Sequence, residues 1–517
     1  MIAYLDQRRT RKLDWVLLSV LAALAIFPGL GQNRDYISHE ILHAEIVREM
    51  AERGDFVETK LLGQRFPDKP PVLHAPAALL MRWVGQPSIL LVRLPVALVG
   101  MLGILAAYEV GRVLLDRRAA LVGAIVLLAI PGYGLLAREA LPDMFLCTGM
   151  TFSCLWLLLG MRAPRPVDRT LYFIMAGAAS GVAILAKGPF GLVFPIFFTV
   201  FSAFGHTDLK RPRLGWIAFA VGMLAAMAIW AVPAYFLDHG AYLREVVFQP
   251  DLHWTTKDKP KPFLLYFYVG FLWALPLSLF LPLAILDWRR HAYSPFLAVA
   301  VAILLTLSFV PKKRDHYVLP VFPFLALGVG ATIVRHSATN RLVRWTAWTL
   351  APVSLAALPL YFVAIQPHML PKEDPETNFA KEVLSVVGTN GPLYCVSAHP
   401  EVLAWVARRY DGFIDVPEKD ARVAEQLRHA SPGAYLLTRR RSLNALLRAT
   451  GPLPLEPVLE RRVNKETLVL FRFREQEELP QRLRESAVRA VAVIEPREER
   501  SCPKPRRSMS CGGASRG

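Results

Sequence analysis

Residues 170–205 read TLYFIMAGAASGVAILAKGPFGLVFPIFFTVFSAFG, and Lys187 is the only charge in the stretch. About 20 apolar residues are enough to cross the roughly 30 Å of bilayer hydrocarbon. The stretch therefore reads as two crossings, 170–186 and 188–205, joined at a Lys-Gly-Pro corner. Working outward, runs of the same kind lie at 14–31, 89–115, 119–135, 142–161, 214–237, 263–285, 294–310, 316–334 and 342–365, eleven in all. The expected fold is a polytopic α-helical membrane protein.

Composition agrees with that class. Of 517 residues, 54% are hydrophobic and only 20% charged, with a mean hydropathy of +0.33. This is too apolar for a soluble chain of such length. The net charge of +18 would suggest nucleic acid in a soluble protein, but here the basic residues sit in short loops between apolar runs. There they report orientation, and no nucleic-acid partner is expected. With the N-terminus cytoplasmic, the inner loops carry Arg117 and Arg118; Arg162, Arg165 and Arg169; Lys210, Arg211 and Arg213; Arg289 and Arg290; and Arg335, Arg341 and Arg344. An odd number of crossings then puts the two ends on opposite sides, as expected for a bacterial inner-membrane protein with an extracytoplasmic C-terminal domain. Arg8, Arg9, Arg11 and Lys12 before the first run resemble a secretion signal, but no small-residue cleavage site follows, so the first helix is read as retained. Cys147, Cys154, Cys395, Cys502 and Cys511 form neither a disulfide framework nor a metal knuckle.

The transmembrane domain is expected over 1–366, with two long outer loops, 32–88 and 238–262. Within the first, His39 to Arg53 places Leu42, Ile46 and Met50 at helical spacing, which predicts an amphipathic helix on the membrane surface. Residues 367–474 alternate strand and helix patterns and predict a small outer α/β domain. Residues 475–517, rich in Glu, Arg, Pro and Ser, predict a disordered tail.

The informative charges are those that break the orientation rule. Arg138, Lys187 and the run Lys312, Lys313, Arg314 fall in short outer connections, beside Asp143 and Asp315. Any one of them is explained by snorkelling to lipid headgroups. Three corners with cations point instead to an anion-binding cavity, and a lipid phosphate is the fitting guest. The first loop adds Asp35, Glu40, Glu45 and Asp68, the last in a stiff Phe66-Pro67-Asp68-Lys69-Pro70-Pro71 turn. Sugar transfer from a lipid phosphate needs a group to deprotonate the acceptor and cations for the departing phosphate. Both kinds are expected on the same face, although a solvated helix face is the plainer account of the acids alone. His253 in the second outer loop is a further candidate contact.

Five local matches in order, spread over about 14–335, resemble the polyprenyl-phosphate-sugar glycosyltransferases of the glycosyltransferase C fold, family 39. The similar branch contains lipid A aminoarabinose transferase and the protein O-mannosyltransferases. His39-Glu40 through Met50 with Gly54-Asp55-Phe56 looks like that family's first outer loop, and Asp68-Lys69-Pro70-Pro71 like its acidic-Lys-Pro-Pro turn. Arg138 through Asp143, Lys187-Gly188-Pro189, and Lys312 through His316-Tyr317-Val318-Leu319-Pro320 resemble its later corners. The resemblance implies a polyprenyl-phosphate-linked sugar donor and a lipid, glycan or protein acceptor. It implies a donor phosphate held by Lys69, Arg138, Lys187, Lys312, Lys313, Arg314 and Tyr317, with Asp143 and His316 orienting substrate. No cofactor is required by this chemistry; a divalent metal is compatible with it but not predicted. A monomer is expected. One departure matters: the family's first-loop Asp, its general base, is His39 here. Histidine can take a proton near neutral pH, and Glu40, Asp35 and Asp68 are alternatives; a changed or lost activity is another.

His39-Glu40-Ile41-Leu42-His43 also satisfies H-E-x-x-H, the zinc-peptidase helix signature. That reading leaves Arg138, Lys187 and the Lys312 cluster unexplained. A non-catalytic transport or structural role is the other alternative.

Overall fold

The structure, a computed structural model, describes residues 2–32, 38–205, 213–248, 261–287, 294–311, 313–369, 375–388, 392–396, 398–408, 413–416, 427, 430–451, 453–463 and 466–474. Asp35, His253, Lys312 and the tail from 475 lie outside them, as does the side chain of His39. The helices begin with α1 (Ile2–Ile26), α2 (Ser38–Arg53), α3 (His74–Val84), α4 (Ile89–Leu114), α5 (Arg117–Ala129), α6 (Pro131–Leu136) and α7 (Asp143–Arg162). They continue as α8 (Pro166–Lys187), α9 (Phe190–Gly205), α10 (Arg213–Leu237), α11 (Ala241–Phe248), α12 (Leu265–Trp273), α13 (Leu281–Asp287) and α14 (Ser294–Ser308). The last are α15 (Phe322–Ser337), α16 (Arg341–Leu360), α17 (Gln366–Met369), α18 (Pro375–Val387), α19 (Pro400–Ala407) and α20 (Arg440–Thr450). Two short strands, β1 (Lys60–Leu61) and β2 (Gln64–Arg65), join α2 to α3.

This is the helical body of a polytopic integral membrane protein. Among the described residues, six helices are long and apolar enough to cross a bilayer: α4, α7, α8, Leu214–Leu237 of α10, Asp315–Ser337 and Arg341–Met369. A seventh crossing arises if α12 and Leu277–Asp287, bent by 112° at the break between them, count as one. The helices α9 and α14 are apolar but shorter. The run at 119–135 divides at Ile130, because Pro131 has no amide to continue α5 and instead starts α6. The first helix runs 2–26 instead of 14–31, and its basic residues are part of it: Arg11 pairs with Glu109 of α4 at 2.9 Å.

The helices α8 and α10 approach each other closely at two glycines. A Cβ on Gly177 would stand 1.9 Å from the carbonyl oxygen of Phe219, and one on Gly222 would stand 2.0 Å from that of Ile174. Only the missing side chains let these backbones touch, which is the way membrane helices gain packing without a hydrophobic driving force.

The helix α2 is more enclosed than an interfacial helix. From Ile41 to Ala51 every residue but Leu42 is buried. Its polar residues are satisfied within the protein. Arg48 binds Glu45 and, at 2.5 Å, Glu52. Glu49 accepts hydrogen bonds from the amides of Leu62 at 2.5 Å and Gly63 at 3.0 Å. Those two residues form the β1–β2 turn with φ of 55° and 73°, as a two-residue hairpin of this twist demands. The apolar side of α2 meets α3, and Trp405 of α19 packs against the same cluster.

The chain divides into two compact units, 1–385 with 399–413, and 386–398 with the residues from 414 on. The second contains a five-stranded sheet of order β4-β3-β5-β7-β6, from β3 (Leu393–Val396), β4 (Phe413–Val416), β5 (Tyr435–Arg439), β6 (Leu455–Val463) and β7 (Glu466–Phe473). β3 and β5 are parallel, with Leu393 opposite Tyr435, while β7 runs antiparallel to β5 and β6. Val396, Leu436, Leu446, Val469 and Phe471 fill its core.

Candidate active site

The site is assembled from helix ends. Asp143 opens α7, where a carboxylate complements the partial positive charge of the helix N-terminus. Lys187 closes α8, where a cation complements the opposite end. The following Gly188 has φ of 71°, and Pro189 starts the next turn, so the corner reverses the chain directly after the ammonium. Asp143 and Lys187 form a direct ion pair. Asp143 is almost wholly buried. The Lys187 ammonium lies 3.7 Å from the centre of the Tyr317 ring, and Nε2 of His316 is 3.9 Å from the Asp143 carboxylate. Three connections far apart in the chain thus meet at one point.

The first loop brings a second ion pair to this point. Lys69 donates to Asp68 at 2.9 Å, and both act electrostatically on Lys187. Arg314 acts on the Tyr317 hydroxyl in the same way. Lys313 donates to the Val310 carbonyl at 3.1 Å, in the connection that follows α14. Asp315 pairs with Lys261 at 3.2 Å near the surface.

Glu40 and Arg138 belong to a neighbouring cluster. The Glu40 carboxylate accepts two bonds from Arg93, each 2.7 Å, and one from the amide of Ala140 at 3.0 Å. Arg93 also donates to the carbonyls of Leu30 and Gln32, each at 3.0 Å. Arg138 donates to the carbonyl of Ile26, and its guanidinium stacks 3.8 Å from the centre of the Phe362 ring. Burial and the nearby Arg93 lower its pKa to about 10, against the pull of Glu40, so it stays charged at neutral pH. These contacts knit α1, α2, α4 and the α6–α7 turn together. Arg93, the centre of the cluster, was absent from the sequence-derived candidates. Its signal was a charge well inside the apolar run 89–115, sixteen residues from the next charge in that run, Glu109, and such a charge needs a partner.

His43 meets His74 at 2.9 Å, and His74 opens α3. Glu40, the glutamate of H-E-x-x-H, is engaged with Arg93 and buried. Among the described residues no three His, Cys, Asp or Glu side chains converge as metal ligands.

Comparison with known proteins adds to this geometry. A family model described as dolichyl-phosphate-mannose-protein mannosyltransferase matches residues 68–231. An undecaprenyl phosphate-alpha-4-amino-4-deoxy-L-arabinose arabinosyl transferase of Pseudomonas aeruginosa is 25% identical over 421 residues, 77% of this chain and 74% of the relative. The protein of the same description from Pectobacterium carotovorum is 28% identical over 374 residues, 69% of this chain and 67% of the relative. The crystal structure of ArnT from Cupriavidus metallidurans bound to undecaprenyl phosphate superposes with a TM-score of 0.68 at 19% identity, covering 90% of this chain and 99% of that one.

Proposed function

We propose that this chain, a membrane glycosyltransferase resembling the polyprenyl-phosphate-sugar enzymes of the glycosyltransferase C fold, holds its donor phosphate at Lys187. The enzyme moves a sugar from a polyprenyl-phosphate carrier to an acceptor. The lipid, glycan or protein nature of that acceptor is open, as is the sugar.

The observation that carries the placement is the meeting of Lys187, Asp143, His316 and Tyr317. A lone ammonium at this depth would be costly, and Asp143 neutralises it until the substrate arrives. A lysine has three donor hydrogens, so a phosphate oxygen can join without displacing Asp143. Negative charge grows on the phosphate oxygen as the sugar leaves. A cation already in place stabilises that charge with no reorganisation, typically by a factor of about 10² to 10³ per donor. Lys69, Arg314, Lys313 and Lys312 would extend the cationic surface along the phosphate.

The acceptor hydroxyl would lose its proton to Asp35 or His39, since Glu40 is committed to Arg93 and acts through position. Attack from the side opposite the phosphate would invert the anomeric carbon. Fixed cations supply the leaving-group stabilisation, so the scheme includes no metal. The accompanying topology is eleven crossings, a cytoplasmic N-terminus, a small α/β domain over 367–474 on the outer side of a bacterial inner membrane, and a monomeric enzyme.

The test is incubation of purified protein with a panel of polyprenyl-phosphate sugars. Wild type should consume at least one donor, and Lys187→Ala should slow that reaction about 10²-fold or more. Equal consumption by the variant would remove Lys187 from the phosphate site; no consumption of any donor would remove the donor class.

A further inference from the structure

The His43–His74 pair has no part in the chemistry above. Its rings sit with centroids 5.0 Å apart, and both side chains are buried. One nitrogen of each is occupied by their mutual hydrogen bond. The other ring nitrogen of His74, Nδ1, is buried and has no partner. Leaving a polar atom in that state costs about 1–3 kcal/mol. Phenylalanine or leucine in place of His74 would remove that atom and its cost, so the histidine has to be explained by something other than packing.

Both imidazoles line a small cavity between α2 and α3, together with Phe66, Asp68, Lys69 and Pro142. The space suits about one water-sized group. Apolar atoms make up nearly all of its exposed wall, with the side chains of Asp68, Lys69 and the two histidines at its edge. Pro142 directly precedes Asp143, and Lys69 acts electrostatically on both Asp143 and Lys187. The cavity therefore adjoins the point where the donor phosphate is placed.

We infer that this cavity receives one hydroxyl of the donor sugar, recognised by the His43–His74 pair beside the Asp68–Lys69 ion pair. The inference rests on the donor-phosphate reading, because a sugar hanging from a phosphate at Lys187 reaches only a short distance. A hydroxyl fits better than a charged group. Asp68 and Lys69 already neutralise each other, and a hydroxyl can donate or accept, whichever the imidazole nitrogen requires. An ammonium of an amino sugar would meet Lys69 as well as Asp68.

The experiment uses the full-length protein in detergent and the best donor of the panel, compared with its monodeoxy analogues. Wild type should lose about tenfold or more in kcat/KM with one particular deoxy donor. His74→Phe should cost the parent donor about tenfold more than it costs that deoxy donor, because the same contact is then removed twice. His43→Phe should behave alike and serves as the second variant if the first fails to give a monodisperse protein. The inference is overturned if wild type consumes every deoxy donor as fast as the parent. It is also overturned if both variants keep the wild-type discrimination, or if an amino group is preferred to the hydroxyl at the sensitive position. The two levels separate cleanly. Consumption that depends on Lys187 but ignores every hydroxyl sinks only the cavity assignment, whereas a reaction indifferent to Lys187→Ala sinks the phosphate placement beneath it.

Discussion

The Lys187 ammonium rests 3.7 Å from the centre of the Tyr317 ring while it pairs with Asp143. An aromatic face attracts a cation through the ring's negative quadrupole, by about 0.5–2 kcal/mol depending on desolvation. Tyr317 therefore holds the ammonium with its face, and its hydroxyl is a separate resource.

That division can be measured. Tyr317→Ala should raise the donor KM by about 2- to 30-fold, the range equivalent to losing the cation–π contact. Tyr317→Phe keeps the face and should stay near wild type. If phenylalanine proves as harmful as alanine, the hydroxyl is the part that matters and the ring contact is incidental.

Arg93 should matter more for folding than its place in an apolar helix suggests. Arg93→Ala would leave Glu40 buried and unpaired, a change that costs about 3–5 kcal/mol. Arg93→Lys should recover only part of this, since a lysine cannot reproduce the two-pronged guanidinium contact. Thermal unfolding in detergent reads both. A wild-type melting temperature for Arg93→Ala would mean that the Glu40 pair contributes nothing.

Acid should weaken the first loop through His74. Burial holds its pKa down, to about 4, with Lys69 adding to the effect and Asp68 opposing it. The unfolded imidazole titrates near 6.5. Between those values the unfolded chain binds the extra proton, so stability falls as pH is lowered from about 6.5 to 4 and is intact above that window. The difference between about 4 and about 6.5 corresponds to about 3–4 kcal/mol at most. His74→Gln should flatten the pH dependence of unfolding over this range, and an unchanged slope would assign it elsewhere.

Much of the helical body was legible because twenty consecutive apolar residues have few alternatives. The runs at 89–115, 142–161 and 214–237 correspond closely to α4, α7 and Leu214–Leu237 of α10. Continuity of the helix was less visible: the break at Ile130 and the bend after Trp273 fall inside uninterrupted hydrophobicity, where only a proline hints at them. The candidate site was legible in part as misplaced charge, Lys187 beside Asp143, while His316 came only through the resemblance. Their pairing was not, because it joins residues 44 apart in the case of Asp143 and Lys187. Glu40 is the converse case. Its neighbourhood in sequence suggested a base, and its pairing with Arg93, 53 residues away, could not be read there.

Contact between the α8 and α10 backbones at Gly177 and Gly222 bears on how a lipid reaches this enzyme. No hydrocarbon chain can thread a seam in which even a methyl group would strike a carbonyl oxygen. Under the proposed placement of the donor phosphate, the isoprenoid tail would approach Lys187 by some other route, and widening this seam would shift α8, the helix that Lys187 closes.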